Sequence, residues 1–189
     1  MTLDIESARS AKPYSTKEYV GRLAWSFVLP LFYLSPRTFF GWRRFLLRIF
    51  GATVGKSVNI YPSARITIPW NLKIDDYASI GEEALIYNLG MVTIGARTTV
   101  SHRAHICAGT HDYRHAHLPL LRQPISVGAD AWICAQSFIG PNITIGDGAI
   151  VGAGAVVMKS VAPWSVVAGN PAEFIKMREM NEETKDRQP

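Results

Sequence analysis

The chain carries only two cysteines among 189 residues, Cys107 and Cys134, and no Cys-x-x-Cys spacing. That scarcity excludes a disulfide framework and a cysteine-rich zinc site, and points to a reducing compartment. Long apolar runs are missing too: the longest, Leu23 to Leu34, is too short for a membrane span and contains Pro30. The opening MTLDIESARSAKPYS lacks the basic start and apolar core of a signal peptide, so the expected location is cytoplasmic. Charge of one sign is not abundant: 20 Lys and Arg stand against 15 Asp and Glu, a net +5. Without a basic stripe interleaved with aromatics, that balance suits an anionic surface or a phosphate-bearing ligand. Nucleic acid is not an expected partner.

What the chain does have is a beat of six. From Val54 an aliphatic residue recurs at Ile60, Ile66 and Leu72. After a slip of two it restarts at Ile74, Ile80, Ile86 and Val92, and after a second at Ile94, Val100 and Ile106. It then breaks off, resuming as Val127, Ile133, Ile139, Ile145, Val151 and Val157. Glycine follows many of these positions, as at Gly55, Gly81, Gly95, Gly128, Gly140, Gly146 and Gly152. Such a period fits neither a helix at 3.6 nor plain strand alternation. It fits coils of three short strands, each sending one aliphatic side chain to a central stack, with small residues letting the backbone turn the corners.

The segment VGADAWICAQSFIGPNITIGDGAIVGAGAVVMKSVAPWSVVAGNPA resembles the hexapeptide-repeat acyltransferases, near the maltose and galactoside acetyltransferases. SPRTFFGWRRFLLRIFGATVGKSV, ITIPWNLKIDDYASIG and AGTHDY bring the likeness nearer still to the colanic acid biosynthesis acetyltransferase group, over roughly residues 20 to 178. The resemblance implies a mainly β chain wound as a left-handed parallel β-helix. It further implies acetyl-CoA as co-substrate, no metal, a homotrimer, and a sugar or lipid-linked saccharide as acceptor.

Three regions follow: residues 1–52 as a helical segment packing on the coil, 53–168 as the β-helix with a loop at 107–126, and 169–189 as a short helix and charged tail. In the first region, Ser15 and Glu18 have capping-box spacing ahead of a helix that should end near Pro30. Ser35-Pro36 should start a second helix and Gly51 stop it. On that second helix Phe39, Trp42, Phe45, Leu46 and Ile49 share one face, with Arg37, Arg44 and Arg48 toward the other. Residues 36–50 therefore suit either the open end of the coil or peripheral contact with an anionic membrane. After GNPA, Phe174, Ile175 and Arg178 should lie on the short helix, and the tail from Asn181 should be frayed.

The beat fails in AGTHDYRHAHLPLLRQPIS, which holds His111, His115 and His117. Loops displaced from a rigid scaffold are where catalytic groups tend to sit. His111 lies nearest the departure from the coil, so its position should be the best fixed. By resemblance the histidine in this Thr-His context is the general base. The chemistry demands one, because a sugar hydroxyl is a poor nucleophile at neutral pH and an imidazole of ordinary pKa, about 6.5, is largely neutral there. His115 and His117 read as solvated, and His102 and His105 as structural. Neither cysteine reads as a nucleophile, since both occupy the slot after the aliphatic residue. The resemblance places coenzyme A along Trp132, Ala153, Gly154, Lys159 and Arg178, in a groove between neighbouring coils; Met158 departs from the family's threonine there. Asn88 and Asp112 are the expected acceptor-side residues, Asp112 alternatively orienting a histidine. Two other readings stay open: N-acetylation of an amino sugar, and a coil that binds without catalysis. The γ-class carbonic anhydrases share the fold, but their His-x₄-His pair has no counterpart in this loop.

Overall fold

The structure, a computed structural model, describes residues 2–180. From Thr53 the chain winds as stacked coils of short parallel strands on three faces. The first face holds Thr53–Val54, Leu72–Ile74, Val92–Ile94, Ile125–Val127 and Thr144–Ile145. The second runs from Asn59–Ile60 to Ser165–Ala168, and the third from Arg65–Ile66 to Val156–Val157. Every aliphatic residue of the six-residue beat is buried in one continuous core. The two slips are real insertions: Val54 pairs with Ile74 and Ile74 with Ile94, 20 residues apart, whereas Val127 pairs with Ile145 after 18. The two extra residues enlarge the corner between the third and first faces. Three-residue strands then bury both ends there, Leu72 with Ile74 and Val92 with Ile94.

The structure separates close stacking from the corner turning that the sequence assigned to small residues. A left-handed residue stands third after many of the aliphatics and is seldom glycine: Tyr77, Arg97 and Asp130 have φ of 61°, 59° and 56°. A left-handed non-glycine costs about 1–2 kcal/mol. The turn repays it by aiming the corner N–H at the previous coil, as in Arg97 N–H to the Asp76 carbonyl and Asp130 N–H to that of Ala96, both at 2.9 Å. The glycine just after the aliphatic serves close stacking instead. A Cβ on Gly95 would lie 2.4 Å from the Gly128 carbonyl carbon and 2.5 Å from the Ala129 nitrogen. Both contacts are backbone, which cannot rotate away. Gly95→Ala is therefore expected to cost ~1–3 kcal/mol or more, read as a lowered Tm in thermal unfolding.

A stacked coil ends in an unpaired strand edge, and buried main-chain carbonyls need donors. Three helices occupy the N-terminal side: α1 (Ile5–Ser10), α2 (Thr16–Tyr33) and α3 (Phe40–Ile49). Ser15 and Glu18 form the capping box of α2 as the sequence indicates. α2 continues past Pro30 because Trp25 and Phe32, on one face, are buried in the core; that packing outweighs the missing proline N–H. α3 starts at Phe40 rather than at Ser35-Pro36. The Ser35 hydroxyl instead donates to the Phe32 carbonyl and accepts from the Arg43 guanidinium, both at 2.6 Å. Gly51, at φ 87°, follows its end.

The face of α3 that meets the coil is not the aromatic one. Leu46 is buried as expected, but so are Arg43 and Leu47, whereas Phe39, Trp42, Phe45 and Ile49 stay exposed. The physical reason is the carbonyl edge of the first coil. Arg43 Nε donates to Ile60 O at 2.5 Å, Arg44 to Val58 O at 2.7 Å, Arg48 to Val54 O at 2.6 Å, and Trp25 Nε1 to Ile66 O at 3.0 Å. Phenyl rings cannot supply those donors.

At the other end, the helix expected after GNPA is a strand. Glu173–Met177 pairs antiparallel with Ser165–Ala168, closing the edge of the last coil. Phe174 and Ile175 remain exposed, so no apolar face was available to dock a helix, whereas main-chain hydrogen bonds were. The tail from Asn181 lies outside the described residues.

Candidate active site

The third coil ends at Cys107, and the chain leaves at the corner between the third and first faces. Ile94 pairs with Val127 only after 33 residues. The excursion is an antiparallel hairpin, Thr110–His111 against Leu120–Leu121. His111 sits on its paired stem, not on its tip. Its Nδ1 lies 2.6 Å from the Leu118 carbonyl, which can only accept, so Nδ1–H is the donor and Nε2 makes no part of this contact.

Asp112 does not touch His111. Its carboxylate, only 8% exposed, accepts from Arg114 Nε at 2.9 Å and Nη2 at 3.0 Å, and meets His115 Nδ1 at 3.0 Å. The Arg114 side chain foremost, with the Arg114 N–H, holds this carboxyl well below the usual carboxylate range. Asp112 thus stiffens the hairpin tip and orients His115. Asn88, the other residue expected on the acceptor side, is fully buried, its Oδ1 accepting from Ile68 N–H at 3.0 Å and its Nδ2 donating to Ile68 O at 2.5 Å, so it pins the enlarged corner.

His111 and His117 line a cavity of about 600 Å³ whose opposite wall is the N-terminal segment, with Arg9, Lys12 and Tyr14. Tyr87 and Leu89 form its floor. Sequence reasoning missed this wall. Asp4 caps α1 through Ser7 N–H at 3.0 Å, and Asp4 N–H donates to Ala116 O at 2.9 Å on the hairpin. Arg122 pairs with Glu18 at 2.6 Å and donates to Pro13 O. The Tyr14 ring has Arg22 and Arg122 each 4.3 Å from its centre. A strap of some ten residues is thereby fastened across the hairpin. The local signal was the Asp4 to Ser7 capping spacing; the partners more than 100 residues away left none.

The remaining histidines and both thiols fall outside the cavity wall. His105 packs edge-on against Phe138, with ring centres 5.1 Å apart, and burial pushes its pKa down. Burial raises both the Cys107 and Cys134 thiols, the opposite of what a nucleophile needs. Among the described residues no cluster of three or more His, Cys, Asp or Glu could hold a metal ion.

The five residues expected around coenzyme A are divided among corners of the coil. Trp132 and Arg178 are brought together, lining a cavity of about 460 Å³ between the first and second faces. There Trp132 Nε1 donates to Ser101 Oγ at 2.9 Å, and Arg178 is held by the Asp130 and Gly148 carbonyls at 2.8 and 2.9 Å. Ala153 and Gly154 are exposed at the corner between the second and third faces. Lys159 stands exposed at the corner from which the His111 hairpin springs, two coils further on, or ~10 Å along the axis at strand spacing.

A mainly β solenoid of hexapeptide coils, bearing a histidine on an extruded hairpin beside a ligand-sized cavity, defines a β-helix transferase. Residues 124–159 match the family model of the bacterial transferase hexapeptide (six repeats). The putative colanic acid biosynthesis acetyltransferase WcaF of Escherichia coli (strain K12) is 42% identical over 157 residues, covering 83% of this chain and 86% of that protein. The galactoside O-acetyltransferase of the same strain is 29% identical over 146 residues, 76% of this chain and 71% of that one. Among solved structures, a maltose O-acetyltransferase from Clostridium difficile 630 superposes with a TM-score of 0.80 at 26% identity, covering 95% of this chain and 99% of that one. This chain belongs to the hexapeptide-repeat acetyltransferases and has the stacked parallel coils of a β-solenoid.

Proposed function

We propose that this enzyme O-acetylates a sugar hydroxyl in exopolysaccharide synthesis of the colanic-acid kind, by direct transfer with His111 as general base. The observation that carries the reading is the His111 ring. Its Nδ1–H is tied to the Leu118 carbonyl while the ring lines a cavity large enough for a sugar. Acetyl-CoA supplies the acyl group as a thioester. His111 Nε2 takes the proton as the acceptor oxygen bonds to the acyl carbon; the carbon–sulfur bond breaks, and the same proton returns to the departing sulfur. No acyl-enzyme is needed, in keeping with the raised thiols of Cys107 and Cys134.

Lys159 and Arg178 supply cations for the phosphates of coenzyme A, with Trp132, Ala153 and Gly154 shaping the groove. Since these residues occupy separate corners, one chain offers only parts of the groove. A homotrimer, in which a corner of one protomer faces a different corner of the next, completes it. The test is acceptor-dependent release of coenzyme A across nucleotide-, lipid- and oligosaccharide-linked sugars. Release with none of them, although acetyl-CoA binds, would refute the sugar acceptor classes named here.

The acceptor is expected to carry an anionic group. The His111 cavity is lined by Arg9 and Lys12 and by no carboxylate, and neither cation has an ion-pair partner among the described residues. A sugar linked through phosphate fits that wall. Replacing both by alanine is expected to raise KM for a phosphate-linked acceptor about tenfold, one such contact being worth ~1.4 kcal/mol or more, with KM for acetyl-CoA unchanged. Equal effects on neutral and anionic acceptors would refute this.

A further inference from the structure

The arginines of α3 that satisfy the coil edge leave its aromatic side without a partner, and α2 adds to it. Phe27 is 75% exposed and Leu34 85%, and Leu31, Phe39, Trp42 and Phe45 are each between 38% and 56% exposed. Phe27, Leu31 and Leu34 follow a helical stripe, so α2 is apolar on both its buried and its outer side. Trp42 Nε1 donates to the Leu31 carbonyl at 3.1 Å, and its ring stacks on Phe45 at 5.7 Å, so the aromatic side is pre-ordered. Between the helices lies an open hollow of about 660 Å³ lined by Leu31, Leu34, Phe39, Trp42 and Phe45. A contiguous apolar surface of this kind marks an interaction site.

We propose that the outer α2–α3 face docks the enzyme on an anionic lipid bilayer. Charge selects this occupant. Residues 16–50 hold six cations, Lys17, Arg22, Arg37, Arg43, Arg44 and Arg48, and a single carboxylate, Glu18. Arg43 is fully buried and Arg37 pairs with Glu82 at 2.9 Å, whereas Arg44 and Arg48, half-buried and exposed, are bonded to neutral carbonyls, so their charges are not cancelled. A second copy set against this face across a two-fold axis would bring cations against cations. An anionic leaflet complements them. Aromatic rings beside arginines suit the interfacial zone, where the helices lie in the surface plane. No helix of the described residues is long and apolar enough to cross a membrane, so contact is peripheral. The inference does not rest on the transfer chemistry. If the enzyme is the homotrimer proposed above, three equivalent faces sit at one level along the axis and bind together.

The test is co-sedimentation of the full chain with vesicles of phosphatidylcholine alone and with phosphatidylglycerol added, at low and high salt. Light scattering and thermal unfolding of the same samples accompany it. Binding is expected to require the anionic lipid and weaken with salt. It should fall at least tenfold in Phe27→Ser/Phe45→Ser and in Leu34→Ser, with Tm and oligomeric state unchanged. Absence of binding to the anionic vesicles overturns the proposal, as does binding that both variants retain. A change of oligomeric state in the variants, without lipid binding by the wild type, overturns it in favour of a subunit interface. Because vesicle binding is scored without acetyl transfer, a wrong acceptor or a wrong base leaves this result unaffected.

Discussion

Replacing His111 with alanine is expected to lower kcat by two to four orders of magnitude while KM for acetyl-CoA changes little. A positioned base contributes about 10²–10⁴ in rate, or ~3–5 kcal/mol of barrier, when it accepts the proton as the nucleophile attacks. The geometry supports this because, in the neutral ring, Nδ1–H donates to the Leu118 carbonyl and Nε2 is left free. The ring is on the paired stem of the hairpin, so the cavity should keep its shape when the ring is removed. Coenzyme A release at saturating substrates reads the effect. A mutant within tenfold of wild type refutes the base assignment. His115→Ala is the informative comparison: His115 touches Asp112 at 3.0 Å and does not line the His111 cavity, so it should cost far less.

Arg43→Ala is expected to destabilise the fold strongly, by about 3–5 kcal/mol, because hydrogen bonds from a buried charged donor to the main chain are lost. Arg43 is fully buried, and burial pushes its guanidinium below the usual pKa. It donates to Ile60 O at 2.5 Å, Pro36 O at 2.9 Å, Arg37 O at 2.6 Å and Ser35 Oγ at 2.6 Å. Alanine strands the Ile60 and Arg37 carbonyls, each of which costs ~1–3 kcal/mol when left unmade, and opens a cavity under α3, while Pro36 O keeps the Phe39 N–H. Thermal unfolding should show a Tm lower by roughly 10 °C, at ~2–4 °C per kcal/mol for a chain of this size. Arg43→Lys should recover little, because one compact ammonium cannot span acceptors arranged around a planar fork. A Tm within 2 °C of wild type would mean that water or neighbouring side chains satisfy those carbonyls.

Arg43 also marks the boundary of what a linear reading reaches. The helical wheel of α3 separates aromatic from basic residues correctly, yet convention buries the aromatics. The deciding fact is the row of carbonyls at Val54, Val58 and Ile60, visible only once the first coil exists as an edge. Asn88 shows a related dependence. The sequence does not reveal that the enlarged corner uses both ends of its amide for the main chain of Ile68. The strand at Glu173–Met177 follows the same logic, because an open edge recruits whatever backbone comes next.

By itself the sequence determined the solenoid, its slips and the site of the extrusion. Each coil repeats one local condition: an aliphatic side chain every six residues must face inward, and a break in that condition must leave the coil. The sequence also marked His111 as the histidine nearest the break, its role as base coming from the family resemblance. The tertiary structure alone decided which face of α3 is buried, that the N-terminal strap walls the His111 cavity, and which nitrogen of His111 meets the Leu118 carbonyl. Those outcomes depend on main-chain carbonyls and on contacts such as Glu18 with Arg122, 104 residues apart. A carbonyl carries no residue identity, and a contact at that separation leaves no period in the chain.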